Sequence, residues 1–104
     1  MKEVLDKLTE FNRERDWDQF HTPENLAKSI SIEAAELLEC FQWDNDYDPG
    51  EVKNELADVA TYCIMMADKL DLDMKQIILD KLELTKKKYP VEKCRGISTK
   101  YDKL

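Results

Sequence analysis

Apolar residues recur along this chain at helical spacing, in four stretches separated by short polar breaks. Val4, Leu5, Leu8 and Phe11 fall on one face of a first helix predicted from about Lys2 to Arg15. A break follows at Asp16-Trp17-Asp18-Gln19-Phe20-His21. Thr22 then reads as an N-cap, with Pro23 at the first helical position and Glu24 favourably placed in the positive end of the helix dipole. The second helix is expected to run to roughly Gln42, with Leu26, Ile30, Ala34, Leu37 and Phe41 facing the core. Trp43 to Gly50 is dense in turn formers and reads as a loop. Asp48 and Pro49 repeat the cap-then-proline signal for a third helix, from about Gly50 to Leu70, whose apolar face is Val52, Leu56, Val59, Ala60, Cys63, Ile64 and Ala67. Asp73 with Gln76 resembles a capping box for a fourth helix, Met74 to Lys88, which Pro90 stops.

The pattern predicts an all-α fold, a four-helix bundle with a C-terminal tail. The loop between helices two and three is short, so these two are antiparallel neighbours and form a central hairpin. A helix of about 20 residues is roughly 30 Å long, so the arms are extended. Phe20, Phe41 and Tyr89 are assigned to the core. Apolar residues on helices two and three occupy more than one narrow stripe, which predicts a homo-oligomer, a dimer or a dimer of dimers.

Two acidic pairs lie on this hairpin: Glu33-Ala-Ala-Glu36 and Glu55-Leu-Ala-Asp58, with eighteen residues between them. Residues three apart share a helix face, so each pair points two carboxylates one way. Measured from the loop the pairs sit at comparable depth, so four carboxylates meet. Like charges crowded together resist ionisation and desolvation unless a cation joins them. An all-oxygen ligand set suits a hard divalent ion, Mg²⁺ first and Mn²⁺ second. Ala34, Ala35 and Ala57 leave room beside the acids, and Glu39 extends the row by a turn.

Composition narrows the function classes. At 104 residues the chain is expected to be one domain. With 42% hydrophobic and 38% charged residues it folds rather than staying disordered, and two glycines and three prolines leave little for a turn-rich β architecture. A net charge of −7 opposes binding to a nucleic-acid backbone, though not to a phosphorylated small molecule if metal supplies positive charge. Cys40, Cys63 and Cys94 follow no metal-ligand spacing and read as reduced thiols, implying a cytoplasmic protein. The Met1-Lys2-Glu3-Val4 start lacks a signal-peptide core, and no segment has membrane-spanning length.

Surface glutamates are the plain alternative for a lone Glu-x-x-Glu, and they would suit a non-enzymatic helical interaction module that dimerises through its apolar face. A di-iron bundle is disfavoured, since His21, the one histidine, does not follow a glutamate at Glu-x-x-His spacing.

The ordered set of motifs resembles a known family. Glu33-x-x-Glu36 followed by Glu55-x-x-Asp58 is similar to the signature of the all-α MazG-like nucleoside triphosphate pyrophosphohydrolases. Glu14 to His21, Glu36 to Trp43, and Lys88-Tyr89-Pro90 through Lys100-Tyr101 resemble the dCTP pyrophosphatase branch. The resemblance implies hydrolysis of a (deoxy)nucleoside triphosphate to monophosphate and pyrophosphate, with dCTP-like substrates favoured. It implies Mg²⁺ on Glu33, Glu36, Glu55 and Asp58, with Glu36, then Glu39, as the general base. Trp17 and Trp43 are implied to sandwich the base, Tyr62 to pack on the sugar, and His21 to hydrogen-bond base or sugar. Lys81, Lys86, Lys87, Lys88, Lys93, Arg95 and Lys100 are the candidate phosphate contacts. Two departures stand out. Some relatives carry a base-reading histidine where this chain has Leu8, and asparagine where it has Thr85. Both concern substrate contacts and leave the metal motif intact.

Overall fold

The computed structural model describes residues 1–43 and 46–104; Asp44 and Asn45, part of the predicted loop, lie outside the described residues. Every regular element among the described residues is helical: α1 (Lys2–Glu14), α2 (Pro23–Glu39), α3 (Pro49–Lys69), α4 (Met74–Lys88) and a short α5 (Val91–Cys94), with single 3₁₀ turns at Asp18–Phe20 and Tyr101–Lys103. The chain divides into two compact units, Met1–Leu72 and Asp73–Leu104.

Helix starts follow the cap chemistry. Thr22 Oγ1 accepts from the Asn25 amide at 3.2 Å, Asp48 Oδ1 from Gly50 at 2.8 Å, and Asp73 Oδ1 from Gln76 at 3.1 Å. Each satisfies a first-turn N–H that has no partner inside the helix. The predicted capping box at Asp73 is half made. The Gln76 side chain does not return to Asp73 but donates forward to Asp80 Oδ1 at 2.8 Å.

The ends of α1 and α3 share one solution. Asp16 (φ 53°) and Asp71 (φ 57°) take the left-handed conformation just past the helix, a region where aspartate is among the residues best tolerated. Trp17 N then donates to Asn12 O at 3.0 Å and Leu72 N to Ala67 O at 2.8 Å, with Asp16 N on Arg13 O and Asp71 N on Asp68 O. These are the paired bonds of a Schellman motif, and they turn the chain sharply. Lys69 Nζ reaches Asp18 Oδ1 at 3.1 Å and ties the 3₁₀ turn to the end of α3. So exposed a pair contributes less than about 1 kcal/mol.

Within the first unit α2 and α3 pack closely, and α1 lies against α3. Leu26 is 1% exposed and Ala67 is also buried; together with Asn12 they are the buried residues among those described. The expected core is wider than this. Phe20 is 58% exposed and Leu56 56%, while Ala34 and Ala60 are also exposed and Phe41 sits at the margin. Helical periodicity marks these positions as apolar, but within the first unit α1, α2 and α3 leave them uncovered. Helix α2 ends at Glu39, about three residues before the expected Gln42. Cys40, Phe41 and Gln42 instead form tight i to i−3 bonds, and the Phe41 ring packs on Tyr47 across the loop at 4.9 Å.

In the second unit Tyr89 closes α4. Its hydroxyl accepts from the Tyr101 amide at 3.2 Å and its ring meets Tyr101 edge-on at 6.0 Å, holding the tail back on the end of α4. Gly96, at φ 80°, makes the left-handed turn after α5 that lets the chain return.

Leu26→Ala is expected to destabilise the protein by about 2–5 kcal/mol through the cavity left behind. Thr22→Ala, which removes only the cap, should cost about 1 kcal/mol. Urea unfolding monitored by circular dichroism measures both.

Candidate active site

The α2–α3 hairpin brings acidic residues together in antiparallel register. Glu33 faces Asp58, Glu36 faces Glu55, and Cys40 shares a groove with Glu51 and Glu55. One carboxylate oxygen from each of Glu33, Glu55 and Asp58 lies within 4.8 Å of the others. Glu33 and Glu55 are half-buried, and the Oε2 atom of each is shut off from water without a hydrogen-bond partner.

That arrangement strains the ionised state. Burial, then a hydrogen bond shared with Glu36, then the charges of Glu36, Asp58 and Glu55 push the Glu33 carboxyl up to about 7. Burial followed by the charges of Glu36 and Asp58 also raises Glu55. Two orphaned buried oxygens beside a third carboxylate suit a divalent cation. Glu36 stands beside the trio rather than in it. It is exposed and lines an acidic groove of about 280 Å³ with Glu39, Cys40, Glu51 and Glu55. Cys40, beside these acids, has its thiol raised by burial and by the charges of Glu51 and Glu55.

A second feature adjoins the trio through Asp58. Between facing sides of α1 and α3 runs a largely apolar cleft of about 580 Å³. Helix α3 contributes Asp58, Thr61, Tyr62 and Met65; Thr61 and Tyr62 lie three and four residues past Asp58, and Met65 lies four and three past them, so all four border one face. Helix α1 contributes Leu8, Phe11 and Asn12 by the same spacing, and Trp17 and His21 come from the turn that follows. The Schellman turn at Asp16 sets Trp17 edge-on to Phe11 at 5.5 Å, and the Arg15 guanidinium covers the Phe11 ring at 3.8 Å. His21 Nδ1 is sealed from water without a hydrogen-bond partner among the described residues.

The residues singled out from sequence separate into groups. Glu33, Glu55 and Asp58 form the trio, with Glu36 and Glu39 alongside. Trp17, His21 and Tyr62 line the cleft with Asp58. Trp43 does not join them within this chain: it is 89% exposed, next to the loop. In the second unit Lys81, Lys88, Arg95 and Lys100 are all exposed. Lys81 borders an apolar groove of α4 with Ile78 and Leu82, and Lys88 Nζ stands 4.8 Å over the Tyr101 ring. Sequence reasoning missed Asn12, Thr61 and Met65. Asn12 had a signal, because it follows Leu5 and Leu8 on the apolar stripe, a place where a polar residue is unexpected.

The acid cluster makes a pH prediction. Glu33 holds its proton more tightly in the folded chain than at its ordinary value of 4.5. Its contribution is therefore fully present below about 4.5 and is lost as pH rises through about 7. The melting temperature of the metal-free protein should fall across that window, and Glu33→Gln should flatten the fall. Saturating Mg²⁺ should raise the melting temperature most at the alkaline end.

Comparison with known proteins agrees with this architecture. A sequence model of the MazG-like family matches residues 28–104. The chain is 37% identical to mouse dCTP pyrophosphatase 1 and 36% identical to the human protein, in each case over 91% of its own length. It spans 62% of the length of these curated relatives. Among solved structures, a pyrophosphatase from Archaeoglobus fulgidus DSM 4304 is 43% identical and superposes with a TM-score of 0.81, over 86% of this chain and 92% of that one. The acidic hairpin, the all-helical fold and the matched span together place the chain in the MazG-like family.

Proposed function

We propose that this protein hydrolyses (deoxy)nucleoside triphosphates to the monophosphate and pyrophosphate, acting in nucleotide-pool sanitation with dCTP-like substrates favoured. One observation carries the reading. Asp58 belongs both to the carboxylate trio and to the wall of the aromatic cleft, so a base in the cleft has its phosphates directed at the acids. The names of the relatives, dCTP pyrophosphatase 1 and a pyrophosphatase, support the same chemistry.

Glu33, Glu55 and Asp58, with Glu36 beside them as the fourth acid, would hold the divalent cation, Mg²⁺ in preference to Mn²⁺. The ion, when bound, would neutralise phosphate charge around the α-phosphorus. The other roles belong to side chains. Trp17 stacks on the base through its exposed face, with Phe11 behind it keeping the indole upright. Tyr62, one turn past Asp58, packs on the sugar and excludes water there, and His21 offers a ring nitrogen to base or sugar. Glu36, exposed beside the trio and not one of its three ligand oxygens, accepts the proton of the attacking water; Glu39 stands next in line. Lys81, Lys88, Arg95 and Lys100 are the cations assigned to the leaving pyrophosphate.

We further read residues 1–104 as one MazG-like domain that works as a homo-oligomer, a dimer or a dimer of dimers. Large apolar side chains left uncovered on the hairpin, among them Ile32, Leu38 and Leu56, support that assembly, and a second copy would give Trp43 a surface to meet. No helix among the described residues is long and apolar enough to cross a membrane. The three free thiols support a reducing, cytoplasmic setting.

Purified protein incubated with Mg²⁺ and a panel of (d)NTPs should yield monophosphate and pyrophosphate; diphosphate as product would defeat the assignment. Glu36→Gln and Asp58→Asn should each abolish turnover with the helical circular dichroism spectrum unchanged. Trp17→Ala should raise KM about tenfold through lost stacking, with a smaller effect on kcat.

A further inference from the structure

We propose that Asn12 reads the base, its side-chain carbonyl accepting a hydrogen bond from an exocyclic amine. Amine-bearing bases are thereby favoured over their keto counterparts. The assignment rests on the nucleotide reading above and adds to it the chemical group that is selected.

Asn12 is a polar side chain only 8% exposed, on the face of α1 that otherwise presents Leu5 and Leu8. A buried amide without partners is destabilising, so its bonding has to be accounted for. Its Nδ2 donates to Met65 Sδ at 3.9 Å, a weak acceptor. Its Oδ1 has no protein partner among the described residues. Nor is it one of the sealed polar atoms, which there are His21 Nδ1, Glu33 Oε2 and Glu55 Oε2. An oxygen neither bonded nor sealed, on a side chain this enclosed, is reached from the cavities it lines. Those are the aromatic cleft and a pocket of about 50 Å³, and only the cleft has room for a base.

The thioether sets the direction of the amide. Sulfur accepts and cannot donate, so turning the amide over would set two acceptors against each other. Oδ1 is therefore the atom offered to a ligand. The main chain of Asn12 is tied to the stacking residue, because its carbonyl accepts the Trp17 N–H at 3.0 Å in the Schellman turn. Indole and amide are thus two products of one helix end. A base lying on Trp17 meets Oδ1 at its edge, where the amine of cytosine or adenine donates. The carbonyl of uracil or hypoxanthine brings a second acceptor to the same place and is repelled.

The test compares amino and keto partners, dCTP with dUTP and dATP with dITP, in wild-type protein and in Asn12→Leu, with folding checked by thermal melt. In every pair hydrolysed by the wild type, kcat/KM for the amino member should lead by about tenfold or more, and in Asn12→Leu the ratio should fall toward one, chiefly through KM. An unchanged ratio in a folded Asn12→Leu variant, or a wild-type preference for the keto member, overturns the assignment of Asn12 alone. The triphosphate of 2′-deoxy-pyrimidin-2-one, which lacks the amine, supplies an arm that needs no variant: wild-type protein using it as well as dCTP overturns the assignment too. Wild-type protein that releases pyrophosphate from no nucleotide overturns the proposed function, and this inference with it.

Discussion

Carboxylates repel one another and resist leaving water, and the α2–α3 hairpin imposes both conditions at once. Its register sets Glu33 opposite Asp58 and Glu36 opposite Glu55, and it closes off one oxygen each of Glu33 and Glu55. Hydrophobic packing along the hairpin offsets that penalty while the site is metal-free, with the proton retained by Glu33 reducing the charge. A divalent cation would remove the same penalty by satisfying the orphaned oxygens directly. The site is thus a place where the fold stores unfavourable electrostatics that a ligand relieves.

The cleft depends on the hairpin as well. Asp58, Thr61, Tyr62 and Met65 are successive positions on one face of α3, so the register that assembles the acids also sets one wall of the base-sized cavity. The other wall depends on how α1 ends. Asp16 in the left-handed region turns the chain so that Trp17 returns across Phe11, while the bond between Lys69 and Asp18 anchors the segment that follows. The Trp17 indole, the buried amide and the acids therefore belong to a single packed unit.

The legible parts of the sequence were those governed by local chemistry. Thr22-Pro23, Asp48-Pro49 and Asp73 marked three helix starts because capping needs only neighbouring residues. The two acidic pairs were legible because three-residue spacing decides which face a side chain takes. Long-range partners were less visible. Helix α2 ends early where Phe41 meets Tyr47, a contact between residues six apart, and the exposure of Phe20 and Leu56 depends on how the three helices of the first unit pack. Asn12 looked like an interruption of an apolar stripe, and its burial becomes apparent only once Met65 and Trp17 are placed around it. Trp43 was expected at the base, yet within this chain it projects from the end of the hairpin into solvent.

Calorimetric titration of Mg²⁺ into the protein at pH 7, repeated in buffers of different ionisation enthalpy, tests the central claim most directly. If the crowded acids bind the ion, binding must expel the proton that Glu33 retains, roughly half a proton per ion at this pH. The apparent enthalpy should then vary with buffer in wild-type protein, and that dependence should weaken in Glu33→Gln. Binding without proton release, or an absence of Mg²⁺ binding, would contradict the account.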